Sequence, residues 1–333
     1  MSAGSAAAEE VRVVATINPV HSLVSGVMAG VGEPHLIVRG ATSPHNFSMR
    51  PSDAEMLENA HVVFLIGEAM ETSVAGSIDT LAADARVVEL AEIDGLVRRP
   101  LREGGNFEEN HEHAHDAGHE DGETGEHVDH DEGEEDHGDH DDGDHDDGDH
   151  GDHDADAGHG EEAFDLHVWL DPANAQAMVS TIAETLAEID AANAPTYAAN
   201  AAELHTRLAD LGTEIAGMVA PVRGRPFIVF HDAYRYFEDR FGLAAAGSAV
   251  VSADRSPGVR RIRELQGKVR DLDVMCVMAE PQFEPRLVSV IVEGTAAKAG
   301  SVDPLGATIE SGPGLYFTLL RNMAASFKDC LSG

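Results

Sequence analysis

Three histidines stand where apolar runs end, and imidazole is a side chain that binds metal ions. His45 lies in GATSPHNF after the run HLIV, His167 lies in DLHVWLDP, and His231 ends the run FIVFH. Neutral imidazole is a good zinc ligand, and three histidines with one oxygen ligand form a tetrahedral zinc site. Each one taken singly is better explained by a structural or solvated role, but together, at the ends of apolar runs, the three are candidate zinc ligands.

The fourth ligand has more than one candidate. Asp303, in SVDPLG, could supply the oxygen, and its competing role is an Asx turn or a helix cap ahead of Pro304. Water is the third possibility. His205, in the helical stretch AELHTRL, is expected to face solvent and to bind no metal.

A second group of histidines lies in a segment, about residues 104–163, that is dominated by His, Asp and Glu. Residues 106–162 carry 26 of the 61 acidic residues and neither Lys nor Arg. Such a segment cannot bury enough apolar surface to fold, so we expect a flexible surface loop that holds several divalent ions weakly. The alternative is a charged insert that serves only solubility. The candidate weak metal sites are His111, His113, His115, His119, His127, His130, His137, His140, His145, His150, His153 and His159.

The charge outside this segment is moderate and acidic. The chain of 333 residues has a formal net charge of -39, of which only about -13 belongs to the remainder. Nucleic acid is not expected as a partner, because phosphate binding depends on a basic surface. The sequence has no apolar run of membrane-spanning length and no recognisable signal peptide, so we expect a soluble form.

Short apolar runs alternate with helical patterns along most of the chain. Runs such as VRVVATI, HVVFLIG, FIVFHD and VMCVMAE are separated by helical stretches, which is typical of parallel sheets covered by helices. The pattern predicts an α/β protein with two lobes: residues 1–194, which include the acidic loop, and residues 221–333. Residues 195–220 are predicted to form a long helix that joins the lobes, starting at Pro195.

Two cysteines leave two interpretations open. Cys276 lies in an apolar run and Cys330 lies three residues from the C-terminus. They are either one buried and one exposed thiol, or a disulfide that closes a long loop and stabilises by roughly 4 kcal/mol. A disulfide would indicate an oxidising compartment.

Several of these stretches carry a family resemblance. TINPVHSLV, GATSPHNFSMRPSDAEMLENAHVVFLIG, HVWLDP, FIVFHDAYRYFEDRFGL, MAEPQF and VDPLG, in this order, resemble the zinc-binding solute-binding proteins of bacterial ABC importers, the ZnuA type. The resemblance covers almost the whole chain outside the acidic segment. It implies a two-lobed periplasmic receptor with a rigid connecting helix and with Zn²⁺ in the cleft.

The resemblance also assigns residues. The ligand histidines of the family fall on His45, His167 and His231, and manganese-binding members carry a carboxylate where this chain has His231. Some zinc-binding members have an acidic fourth ligand just before the first histidine, but Pro44 stands there in this chain, which leaves the position to Asp303 or water. Zinc-type relatives bear a disulfide at the positions of Cys276 and Cys330.

The predicted function is high-affinity binding of Zn²⁺ in the periplasm and its delivery to the membrane permease of an ABC transporter. A monomer is expected, and a periplasmic zinc chaperone is a further candidate partner. The alternatives are a zinc buffer or store, a Mn²⁺-binding protein and a zinc hydrolase. An enzyme is not expected, because the sequence shows no evident general base paired with the site.

Overall fold

The described part of the chain, in the computed structural model, comprises residues 11–45, 47–102, 107, 164–250, 258–283 and 285–333. All of these residues fall within one compact unit, which spans Met1–Glu108 and Glu162–Gly333. Apart from Phe107, the acidic segment predicted as a flexible loop lies outside the described residues, and so do its twelve histidines.

The first half of the chain builds a four-stranded parallel sheet with the strand order β2-β1-β3-β4. The inner strands β1 and β3 consist of buried apolar residues, as expected when helices cover both faces of a parallel sheet. The strands are β1 Val13–Ala15, β2 His35–Leu36, β3 Val62–Leu65 and β4 Arg86–Glu89. The helices are α1 Asn18–Val27, α2 Pro51–Glu58 and α3 Thr72–Leu81.

The second half repeats this topology, with the strand order β6-β5-β7-β8 and all strands parallel. In both sheets the strand order reverses beside the first strand, and the carboxyl ends of the strands at such a point form a crevice for ligands. The strands are β5 Phe227–Val229, β6 Ala245–Ser248, β7 Cys276–Ala279 and β8 Lys298–Ser301. The helices are α6 Arg235–Phe241, α7 Val259–Asp271, α8 Pro285–Val292 and α9 Leu315–Leu331.

Two long helices connect the sheets, α4 (Pro172–Ile189) and α5 (Ala194–Val219). Both have proline in their first turn, and α5 spans 26 residues, about 39 Å. Its buried residues recur every three or four positions, and this face packs against α4, α1 and α9. The predicted two-sheet α/β fold with a long connecting helix is confirmed, whereas the lobe boundaries at residues 194 and 221 stay predictions. No helix in the described part of the chain has the length and apolar character needed to span a membrane.

The expectation that His205 faces solvent is wrong. Its ring is half-buried on α5, and its Nε2 lies 3.1 Å from Ser180 Oγ on α4. The spacing of apolar residues along α5 did not show that α4 also covers the side of α5 on which His205 lies.

One large hydrophobic cluster extends through both halves, and a second, smaller cluster lies within the second half. The large cluster includes Phe64 on β3, Trp169 before α4, and Phe237 on α6. The predicted disulfide is also confirmed, because Cys276 on β7 and Cys330 on α9 are bonded with their Cα atoms 5.9 Å apart. The sheets are therefore joined by packing as well as by the connecting helices.

Candidate metal centre

The structure brings His45, His167 and His231 together. One ring nitrogen from each lies within 4.8 Å of the others, and Nε2 of His167 is 3.4 Å from Nε2 of His231. Two nitrogens that bind zinc tetrahedrally at about 2.0–2.1 Å lie about 3.4 Å apart, so this pair already has the required spacing. Among the residues that the structure describes, no other set of three His, Cys, Asp or Glu side chains is grouped in this way.

His231 is positioned by the second sheet. It follows β5 by two residues, and Glu280 follows the neighbouring strand β7, so both lie at the point where the strand order reverses. Glu280 is 2% exposed, and its Oε1 lies 2.6 Å from Nδ1 of His231. The sheet topology therefore holds the imidazole against a buried carboxylate.

His167 is held by a local turn. It precedes a short 3-10 turn, Val168–Leu170, and Oδ1 of Asp165 accepts hydrogen bonds from its backbone N–H at 3.0 Å and from its ring Nδ1 at 2.7 Å. The backbone carbonyl of Asp165 in turn accepts a hydrogen bond from the Tyr236 hydroxyl on α6. The second lobe thereby helps to fix a candidate ligand of the first lobe.

Both carboxylates decide which nitrogen is free to bind metal. A carboxylate accepts a proton-bearing Nδ1, so in the neutral ring the lone pair lies on Nε2. Carboxylate–histidine pairs of this kind orient the ligand and make it more basic. The two Nε2 atoms that face each other across 3.4 Å are consequently the candidate ligand atoms.

His45 has a different environment. It lies in the loop between β2 and α2, is half-buried, and its backbone N–H donates to Ser43 Oγ. Burial, with the neighbouring rings of His167 and His231, lowers the pKa of His45 to about 4. Burial also lowers the pKa of His231, but the charge and hydrogen bond of Glu280 outweigh it, so that this pKa is raised. His45 is thus neutral at physiological pH and ready to bind a cation.

The cavity at the three nitrogens is small. Its volume is about 20 Å³, which is room for one water-sized species and no organic molecule. Apolar side chains complete much of its wall: Met70, Trp169, Phe283 and Leu305. A small ion with at most one small ligand of its own fits this space.

Asp303 does not join the group of ring nitrogens. Its Oδ1 accepts from the backbone N–H groups of Leu305 and Gly306, at 3.1 and 3.0 Å, and its Oδ2 accepts from that of Ala307 at 2.6 Å. Oδ1 also accepts from the side-chain amide of Gln282 at 3.0 Å. These contacts are those of an Asx turn, which the sequence analysis gave as the competing role of Asp303.

A partly buried ion cluster links the lobes beside this centre. The guanidinium of Arg102 donates to the carboxylates of Asp232 and Glu238, with bonds of 3.0 Å to each, and lies 3.9 Å from the centroid of the Phe107 ring. Because Asp232 adjoins His231, the cluster ties the chain that follows the first sheet to the start of α6.

Three polar residues of the centre were missed by the sequence reasoning: Asp165, Glu280 and Gln282. Asp165 could have been noticed, since an acid two residues before a histidine can reach its ring. Glu280 and Gln282 were quoted within MAEPQF without a role, and only the pairing of β5 with β7 shows that they reach the cavity.

The sequence matches known proteins along its length. The family described as "Zinc-uptake complex component A periplasmic" (ZnuA) matches residues 13–330. "High-affinity zinc uptake system protein ZnuA" of Brucella suis biovar 1 is 47% identical over 336 residues, 98% of this chain and 94% of that protein. The protein of the same name from Paracoccus denitrificans is 33% identical and covers 98% of this chain and 93% of its own.

Solved structures show the same fold. "Crystal structure of ZnuA" has a TM-score of 0.72 at 20% identity and covers 97% of this chain and 100% of its own. A ZnuA deletion mutant with zinc bound has a TM-score of 0.68 at 19% identity, with 98% and 99% covered. From the match over residues 13–330 and the relative at 47% identity, we conclude that the chain belongs to the ZnuA family of periplasmic zinc-uptake components.

Proposed function

We propose that this protein captures one Zn²⁺ ion in the periplasm through His45, His167 and His231 and delivers it to the membrane permease of an ABC importer. The observation that carries this proposal is the set of three imidazole nitrogens around one small, largely buried cavity. Family membership and the zinc-uptake names of the relatives support the same function. A periplasmic zinc chaperone is a further proposed partner.

The donor set favours zinc over manganese. Imidazole nitrogen suits Zn²⁺, whereas Mn²⁺ prefers carboxylate and other oxygen ligands. The carboxylates nearest to the rings, Asp165 and Glu280, are bonded to Nδ1 atoms and so support the ligands. Water is the fourth ligand that fits best, because both oxygens of Asp303 already accept backbone hydrogen bonds.

Capture fits the centre better than hydrolysis. A catalytic zinc needs room for a substrate and a general base, but the cavity of about 20 Å³ admits one water-sized species. Asp165 and Glu280 are each held against an imidazole, so neither is available as a base. Release of the ion to a permease requires only that the ligands separate.

The histidine-rich segment has a separate proposed role. Its twelve histidines would collect zinc weakly and raise the ion's concentration near the centre. Deleting residues 106–162 should then leave one tight site and remove the weak ones in a calorimetric titration. Loss of the tight site with the segment would contradict the three-histidine centre, whereas unchanged stoichiometry would favour a solubilising role.

Zinc titration of single variants tests the main proposal. Each of His45→Ala, His167→Ala and His231→Ala should weaken zinc binding more than the roughly 10–100-fold typical when only a residue that supports a ligand is changed. His205→Ala, in which a half-buried histidine on α5 is lost, is the matched control and should keep wild-type affinity. Competition against a chelator of known affinity measures all four. Tight zinc binding by any of the three ligand variants would refute the proposal.

A further inference from the structure

Gln282 lines the metal cavity, and its side-chain amide has a fixed orientation. Its Nε2 donates to Oδ1 of Asp303 at 3.0 Å. A carboxylate that accepts three backbone N–H groups is itself firmly placed and has no proton to donate. The amide nitrogen of Gln282 must therefore face Asp303, and the carbonyl oxygen Oε1 must face the other way.

That oxygen is buried. Among the residues that the structure describes, Oε1 of Gln282 has no hydrogen-bond partner. Buried polar atoms are nearly always hydrogen-bonded, so a solitary acceptor beside a binding cavity points to a donor that arrives with the ligand. The cavity that Gln282 shares with the three histidines is where such a donor would lie.

We propose that Gln282, oriented by Asp303, is a positioning residue whose carbonyl oxygen accepts a hydrogen bond from the water that completes the coordination of the captured zinc ion. This inference rests on the proposed function. Asp303 then has an indirect role, because its carboxylate fixes the orientation of the Gln282 side-chain amide. A neutral donor such as water is thereby preferred at the fourth position over an anion such as azide, which has no hydrogen to donate.

Direct binding of zinc by Oε1 is the competing arrangement. An amide oxygen is a poor zinc ligand compared with imidazole, thiolate or carboxylate, so the bridging role through water is favoured. The two arrangements differ in whether the loaded protein holds a metal-bound water.

The test uses the Co²⁺-substituted full-length protein, whose visible spectrum reports the fourth ligand, with azide as the competing anion. Gln282→Met removes the acceptor at similar volume, so azide should bind several-fold more tightly, and zinc affinity should fall about tenfold, the effect of one lost hydrogen bond to a charged group. Gln282→Glu keeps an acceptor oxygen, whether its carboxyl group shares a proton with the adjacent Asp303 carboxylate or is ionised, so azide should bind no more tightly than in the wild type. Tighter azide binding in Gln282→Met alone is a signature that a purely structural role would not give.

Gln266→Met is the matched control, because Gln266 is also half-buried in the second lobe and its amide also bridges two elements, with a hydrogen bond to the Val290 carbonyl. It should leave azide and zinc affinities unchanged. Unchanged azide affinity in both Gln282 variants would overturn the inference, as would the absence of a bound-water signal by electron–nuclear double resonance in H₂¹⁷O. Failure of the proposed function is distinct, since the wild type would then not bind one Co²⁺ or Zn²⁺ tightly through its histidines.

Discussion

Glu280→Gln should weaken zinc binding while leaving the ligand histidines in place. The change keeps a hydrogen-bond acceptor for Nδ1 of His231 and removes the negative charge that lies 2.6 Å from that ring. Both residues are almost fully buried, so solvent screens their interaction little. A charge-assisted hydrogen bond is worth about 1.5–3 kcal/mol, which corresponds to a loss of affinity of roughly 10–100-fold.

The size of this loss should depend on pH. Glu280 raises the pKa of His231, so below that pKa the wild type must release a proton from this ring before zinc binds. In Glu280→Gln the pKa of His231 falls, and competition from protons begins at lower pH. The ratio of wild-type to variant affinity should therefore be largest above the raised pKa of His231 and shrink as the pH falls through it.

Chelator competition at several pH values measures both effects. Asp53→Asn is the control, because Asp53 is also a fully buried carboxylate that contacts a histidine, His35, but does not line the metal cavity. It should leave zinc affinity unchanged even if it lowers stability. Wild-type zinc affinity in Glu280→Gln at pH 8 would refute the view that this carboxylate supports the ligand.

Three further predictions concern stability, measured as the free energy of unfolding in urea. Arg102→Met leaves its two carboxylate partners without a counter-charge and should cost about 3–5 kcal/mol, whereas Arg99→Met, at a half-exposed ion pair, should cost less than about 1 kcal/mol; equal effects would contradict this. Reduction of the Cys276–Cys330 disulfide, which spans 54 residues, should cost about 4 kcal/mol, and a negligible loss would count against a stabilising bond. Burial raises the pKa of Glu71 from 4.5 to about 7, so the folded state retains a proton that the unfolded chain has released, and stability falls as pH rises through this window. Glu71→Gln should therefore stabilise by up to about 3 kcal/mol at pH 8 and by little at pH 4, and an equal effect at both would rule out this explanation.

Much of the fold could be predicted from local signals. Proline in the first turn marks the start of α4 and α5, and runs of valine mark the buried strands β1 and β3. Helix ends are harder to predict from the sequence. The last helix, α9, begins at Leu315 and not at Pro313, because Gly312, with φ +142, and Gly314 place the proline in the preceding turn. Such turns depend on backbone angles that residue type alone does not determine.

The metal centre was also predicted only in part. The histidines were found because each ends an apolar run or adjoins a helix, which the linear sequence displays. The partners of those rings were not found, since the Glu280–His231 contact depends on strand order, with β7 hydrogen-bonded to β5 although α6, β6 and α7 lie between them in the chain. Strand order within a sheet is a tertiary property, which hydrophobic periodicity does not predict.

The way in which the three candidate ligands are held suggests how the protein combines tight capture with release. His167 and His231 are each hydrogen-bonded to a buried carboxylate. The Tyr236 hydrogen bond and the shared core fix their segments to each other. The two rings are therefore already 3.4 Å apart in the folded protein, and zinc binding does not have to bring them together. His45 has no carboxylate among its described partners and lies half-buried in a loop. Removing one nitrogen from a tetrahedral site weakens it severely without disturbing the other two. Displacement of the His45 loop by a docked permease is therefore the change that would free the ion at the smallest structural cost, and a variant that anchors this loop should bind zinc as tightly as the wild type but transport it more slowly.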